Sequence, residues 1–249
     1  MKFLKQICFF TLTSAFLFGG SDVRDIYQNQ SETRRKALDS EFEMALDLGG
    51  CAGVLIAPTT GLSAAHCKKS GAVRSGIALR DGAVPDGTIV RTLEVGSFQQ
   101  YDYWIFEIQW KKGELPHGMR VVPFIQTRED DLKMGANDSA EKIYTLGFPQ
   151  DISNGKLIYS WGYGKKTSKK NLVNNISLIN GNSGGGILKS TDNMLVSIVS
   201  GGPHMYGEWG WNNSDWNDSS HWNWGPAMWQ VYEKSPLLKS IFPNGKNKY

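Results

Sequence analysis

The feature that most restricts what this chain can fold into is a succession of short β-type runs punctuated by glycine. From Cys51 onward they read AGVLIAP, GLSAAHC, SGIALR, TIVRTLEV, YWIFEIQW, VVPFI, KIYTLGF, KLIYSWGY, NLVNNISLI, GGILKS and MLVSIVS. Runs rich in β-branched and aromatic residues, recurring about every ten residues, point to an all-β sandwich or barrel. The polar stretch TREDDLKMGANDSA at 127–140 divides them into two sets of comparable length and reads as a linker. Near the end, MWQVYEKSPLLKSIF suits a helix broken or bent around Pro236. Ahead of the β runs, SETRRKALDSEFEMALDL fits either a short helix or an extended arm. The expected organisation is therefore a leader over 1–20 and an N-terminal arm or propeptide over 21–48. A first β unit over 49–126, the linker over 127–140, and a second β unit with the helix over 141–249 follow.

The opening residues, MKFLKQICFFTLTSAFLFGG, place Lys2 and Lys5 before an apolar run over 7–18 and then small residues, the pattern of a cleaved secretory signal. The run is shorter than the roughly 20 residues a spanning helix needs, so a secreted or periplasmic protein without stable membrane insertion is expected. The formal charge is +3, and removing Lys2 and Lys5 lowers it to +1, which argues against a nucleic-acid partner. With Cys8 in the leader, Cys51 and Cys67 are the remaining thiols, and in an exported chain they are expected to form a disulfide. In the chain-entropy model such a loop contributes about 3 kcal/mol. A two-cysteine metal site is the alternative, but no His or Cys pair at ligand spacing accompanies them. No metal or cofactor is assigned.

The most specific chemistry lies in GNSGGG at 181–186, which sets the Ser183 hydroxyl among glycines. Acyl transfer needs an exposed nucleophile and two backbone N–H donors aimed at the developing oxyanion, and glycine permits the backbone conformation that arranges them. The donors would be Gly181 and Ser183. A glycine-rich hairpin turn is the bland reading. The segment also matches G-x-S-x-G, but the elbow of the α/β-hydrolases needs a helix after the serine, with the acid and histidine following it, whereas GGILKS and MLVSIVS are strand-like. Upstream, GLSAAHC places His66 beside Cys67, so a disulfide would give a catalytic base a rigid mount. An acid to orient that imidazole is offered by Asp102, at the mouth of the apolar strand YWIFEIQW; Glu107 lies inside the strand pattern and is the weaker candidate.

Together LSAAHC, DYWIFEI and GNSGGG, in the order His, Asp, Ser, resemble the three motifs of the trypsin and chymotrypsin family of serine peptidases. The resemblance runs over most of the chain from 51 to 242 and includes LGFP at 146–149 and SIVSGG at 197–202. It implies two six-stranded antiparallel barrels with a C-terminal helix, the site lying between them, and a secreted endopeptidase acting on protein or peptide substrates as a monomer. His66, Asp102 and Ser183 would be catalytic. Asn182 stands where the animal digestive enzymes carry an aspartate that pairs with a new N-terminus, and it resembles instead the GNSGG of bacterial glutamyl endopeptidases. By the family's spacing, Ser177 lies at the base of the primary pocket with Leu178 and Asn180 nearby, while Ser200, Gly201 and Gly202 hold substrate backbone. With no carboxylate at the base, and Val199 where the glutamyl enzymes place a histidine, an uncharged residue is expected before the scissile bond. The segment HMYGEWGWNNSDWNDSSHWNW at 204–224 reads as a loop packing its indoles on the second barrel, or as an aromatic wall of the cleft. The competing function is a catalytically silent peptidase-fold protein that binds through this loop.

Overall fold

A computed structural model describes residues 34–97, 101–135, 140–150, 156–168, 171–202 and 223–249. The leader, residues 21–33 of the arm, part of the linker and nearly all of the tryptophan-rich segment lie outside the described residues.

The strands in chain order are β1 (Arg34–Lys36), β2 (Ala45–Asp47), β3 (Ala52–Ala57), β4 (Thr60–Ser63), β5 (Gly71–Ser75), β6 (Gly87–Val95) and β7 (Trp104–Trp110), followed by β8 (Phe124–Ile125) and β9 (Lys142–Gly147). The rest are β10 (Ile158–Ser168), β11 (Asn171–Asn174), β12 (Gly186–Lys189), β13 (Met194–Ile198) and β14 (Asn223–Pro226). Strands β2-β3-β4-β7-β6-β5 close into a barrel in which each pairing is antiparallel. A second, barrel-like sheet runs β14-β11-β10-β9-β12-β13-β8, with β1 added on β10. The protein is thus mostly β, built from two barrel-like sheets.

Several boundaries differ from the sequence expectation. The first barrel begins at Ala45 rather than at residue 49, and β8, expected within the first unit, pairs in parallel with β13 of the second sheet. The second sheet accordingly carries more than six strands, because β1 and β8 are drawn from segments flanking the first barrel. The arm is neither wholly helix nor wholly extended: after β1 it makes a 3-10 turn at Asp39–Met44 and then enters the barrel as β2. The run SGIALR is not a strand. Ser75 ends β5 and its hydroxyl accepts a bond from the Ala78 N–H at 3.1 Å, capping a short helix, α1 (Gly76–Arg80).

Three apolar clusters hold these sheets. Inside the first barrel, Leu46, Leu55, Trp104, Phe106 and Ile108 are almost fully buried, with the Trp104 and Phe106 rings 4.3 Å apart. The second sheet encloses Ile143, Ile176, Ile187 and Val196. The largest cluster joins the two, with Val54, Ile56, Ile105, Tyr144, Leu146 and Leu195 packed together. The C-terminal helix breaks at Pro236 as expected, into α2 (Met228–Lys234) and α3 (Pro236–Ile241). It seats Met228, Val231, Leu238 and Ile241 on that joining cluster, so the helix stabilises the contact between the sheets. Among the described residues no helix is long and apolar enough to cross a membrane.

Candidate active site

His66 stands just beyond β4, in a 3-10 turn at Ala65–Cys67. The next residue, Cys67, is bonded to Cys51 immediately before β3, so the turn is fastened at both ends to the barrel. Asp102, at the mouth of β7, is 3% exposed. One carboxylate oxygen accepts the His66 backbone N–H at 3.0 Å, and the other lies 2.7 Å from the ring Nδ1. A third donor comes from the other sheet: the Ser200 hydroxyl, just past β13, bonds the same Oδ2. Burial alone pushes the Asp102 carboxyl upward, but the bonds from His66 and Ser200 outweigh it and hold the group below the usual carboxylate range. An ionised Asp102 can only accept, so Nδ1–H is the donor in this pair. Glu107, the other candidate acid, is instead ion-paired with Arg91 at 3.0 Å on the barrel surface.

The residues flanking Asp102 are braced from behind. Tyr103 donates to Glu94 Oε1 at 2.6 Å, and Ser235, between α2 and α3, donates to Glu94 Oε2 at 2.9 Å. Burial and the Glu94 acceptor raise the Tyr103 phenol well above its ordinary range, which keeps it a donor. On the other side, the Tyr101 hydroxyl reaches Gln230 of α2 at 3.4 Å.

Ser183 occupies a pair of consecutive tight turns. The Asn182 N–H donates to the Ile179 carbonyl at 3.1 Å and the Gly185 N–H to the Asn182 carbonyl at 3.0 Å, with Gly181 at φ +97 and Gly184 at φ +81. Only glycine suits either position. A Cβ on Gly181 would lie 2.0 Å from the Phe148 carbonyl oxygen, and one on Gly184 would lie 1.9 Å from Ser63 Oγ and 2.5 Å from the Ala52 carbonyl oxygen. The Ser183 carbonyl accepts the Ala52 N–H at 2.7 Å, which ties the serine turn to the residue beside Cys51. Ser183 and His66 are thereby drawn to one junction between the sheets. Among the described residues, the backbone N–H groups of Gly181 and Ser183 donate to no acceptor.

The expected pocket residues lie on the segment leading into this turn. Ser177 is 1% exposed, Leu178 is buried and Asn180 is partly exposed. On the opposite side, the N–H groups of Ser200 and Gly201 both reach the Trp224 carbonyl, and the Trp224 N–H returns to the Gly201 carbonyl at 2.8 Å. The Ser200 carbonyl and both backbone groups of Gly202 have no such partner among the described residues.

Two contributions escaped the sequence reading. Ser200 was legible only as part of an extended backbone segment, whereas its side chain reaches Asp102 across the inter-sheet contact. Glu94 gave no signal beyond being a charged residue in TIVRTLEV, and its partners Tyr103 and Ser235 lie nine and 141 positions away along the chain.

Comparison with known proteins places this geometry. The family model described as Trypsin matches residues 29–208, more than half of the chain. The chain belongs to the trypsin family. A search of curated proteins finds no match. Among solved structures, HL collagenase superposes with a TM-score of 0.63 at 18% identity, over 83% of this chain and 97% of that one. Neuropsin from mouse brain gives 0.61 at 16% identity, over 84% and 98%. A Glu endopeptidase gives 0.57 at 17% identity, over 81% and 96%. At these identities the structures establish a shared fold, and this trypsin-family chain spans nearly the whole length of each.

Proposed function

We propose that this trypsin-family protein is a secreted serine endopeptidase in which Ser183 is the nucleophile, His66 the general base and Asp102 the group that orients and stabilises the imidazole. The observation that carries the reading is the buried, ionised Asp102 holding His66 Nδ1 at 2.7 Å, with the Ser183 turn bonded to the residue beside the histidine's disulfide mount. Nε2 then takes the Ser183 proton as the hydroxyl attacks the scissile carbonyl, and the Gly181 and Ser183 N–H groups receive the oxyanion. The imidazolium returns its proton to the leaving amine, and water, deprotonated by His66, resolves the acyl-enzyme. Substrate adds as an extended strand along Ser200 to Gly202, its side chain directed at the neutral Ser177 floor.

A fluorophosphonate probe tests the assignment. Ser183 should be the labelled residue, and Ser183→Ala should abolish labelling with the fold intact by circular dichroism. Labelling that persists on another serine refutes it.

A further inference from the structure

Asp102 sits at the apex of a three-residue turn, closed by the Tyr103 N–H on the Tyr101 carbonyl at 2.8 Å. Its carboxylate is taken up by His66 and Ser200, while the two arms of the turn lead to the C-terminal helices. Tyr103 is 7% exposed and donates to one Glu94 oxygen at 2.6 Å, and the other oxygen receives the fully buried Ser235 hydroxyl at 2.9 Å. Tyr101 reaches Gln230 at 3.4 Å, and the Lys234 ammonium stands 4.6 Å from the centre of its ring. Ser235 is itself fixed, because its hydroxyl also accepts the Leu238 N–H at 3.0 Å as the cap of α3, at the helix break before Pro236. The turn rests directly on the end of β6, two residues past Glu94. The Gly96 N–H donates to the Tyr103 carbonyl at 2.9 Å, and a Cβ on Gly96 would lie 2.0 Å from the Tyr101 carbonyl oxygen and 2.6 Å from the Tyr103 ring.

We infer that Glu94 is a positioning residue of the proposed triad, and that with Tyr103 and Ser235 it makes the C-terminal helix pair part of the apparatus that aims Asp102 at His66. The inference rests on the reading of Asp102 as the group that orients the imidazole. A carboxylate can take both hydroxyls at once, one on each oxygen, and bonds to a charged acceptor are about twice as strong as neutral ones. Glutamine offers one acceptor oxygen and an amide nitrogen that only donates, so in Glu94→Gln one of the two hydroxyls loses its acceptor. A buried hydrogen bond anywhere in the core stabilises the fold. This one holds an arm of the turn whose apex carries the acid, so its loss has a second effect, a turned carboxylate and a displaced imidazole.

The test separates those two effects. Tyr103→Phe removes a hydroxyl and keeps the ring, and Tyr144→Phe is its control: the Tyr144 hydroxyl donates to Asn193 at 2.7 Å in the second sheet, with no part in the site. Two readouts accompany thermal unfolding, the saturation kinetics of Ser183 labelling by a fluorophosphonate and the proton resonance of His66 Nδ1–H, assigned by its loss in His66→Gln. Tyr103→Phe and Glu94→Gln should each lower the maximal labelling rate about tenfold, less than the roughly 10²-fold of a full 1 Å misplacement, with the half-saturating concentration unchanged. Both should also move the Nδ1–H resonance. Glu94→Ala should lose more, and adding Tyr103→Phe to it should cost little further, because both act through one bond. Tyr144→Phe should lower Tm with rate and resonance at parental values. If Tyr103→Phe and Glu94→Gln behave like Tyr144→Phe, or if the losses from Glu94→Ala and Tyr103→Phe simply multiply, the proposal is overturned; should Glu94→Ala not fold, the two conservative variants decide. Failure of the catalytic reading is distinguishable: the parent protein would then not label at Ser183, whereas the resonance, which needs no substrate, still reports whether Glu94 positions His66.

Discussion

Gly184→Ala probes the contact between the sheets beside the proposed nucleophile, Ser183. A methyl at this position meets Ser63 Oγ at 1.9 Å, the Ala52 carbonyl oxygen at 2.5 Å and the Ala64 nitrogen at 3.0 Å. Non-bonded contacts of Cβ need about 3 Å or more, so the serine turn must retreat by about 1 Å from β3 and β4. Alanine at φ +81 adds a backbone cost of about 1 kcal/mol. The retreat acts on the bond between Ala52 N–H and the Ser183 carbonyl, which ties the serine turn to the first barrel. A misplacement of about 1 Å lowers turnover about 10²-fold, equivalent to about 2.7 kcal/mol of transition-state stabilisation. Steady-state kinetics on a peptide substrate should show the loss mainly in kcat, with KM little changed, because the pocket segment lies upstream of the turn. Thermal unfolding should show a separate, modest fall in Tm. Activity within a factor of three of the parent would show that Ser183 is not placed by this packing, and the reasoning would fail.

Other outcomes follow from the same geometry. Asp102→Asn, which presents the wrong hydrogen-bond pattern to Nδ1, should lower kcat by about 10⁴ with little change in Tm; near-parental turnover would mean that another group orients His66. Glu94→Gln leaves either Tyr103 or Ser235 without its acceptor and should cost about 1–3 kcal/mol, lowering Tm by about 2–4 °C for each kcal/mol. An unchanged melting curve would remove Glu94 as a brace. Profiling with a peptide library should show uncharged residues preferred before the scissile bond, and a clear preference for Lys, Arg or Glu would refute the argument from Ser177 and Val199.

What was legible in the sequence was local, and what was hidden was contact between distant segments. Short glycine-punctuated runs identify an all-β chain because strand formation depends on neighbouring residue types, and Asp102 stood out because an acid opened an apolar strand. SGIALR misled because its apolar content suits a strand, while the deciding interaction is the Ser75 cap, itself held by Asp86 at 2.7 Å to its N–H. The limits of the first barrel were misplaced for a related reason. Residues 34–36 and 124–125 carry too few residues to show a pattern, and their sheet membership is set by partners more than a hundred and about seventy positions away, respectively. Within the candidate site, Ser200 and Glu94 were hidden because they act through partners that only the folded chain supplies.

Two of the bonds that cross between the sheets at the candidate site bear on how such a molecule can be recombined. The Ser183 carbonyl completes the hydrogen bonding of β3, and the Ser200 hydroxyl completes that of Asp102. Neither barrel is therefore a finished module. A chimera joining this first barrel to the second barrel of a distant homologue could keep each proposed catalytic side chain and still lack a carbonyl opposite Ala52 or a hydroxyl opposite Asp102. The unit that would have to be transplanted is the seam, with residues from both partners, and substitutions on its two sides should prove interdependent even where no pair of them touches substrate.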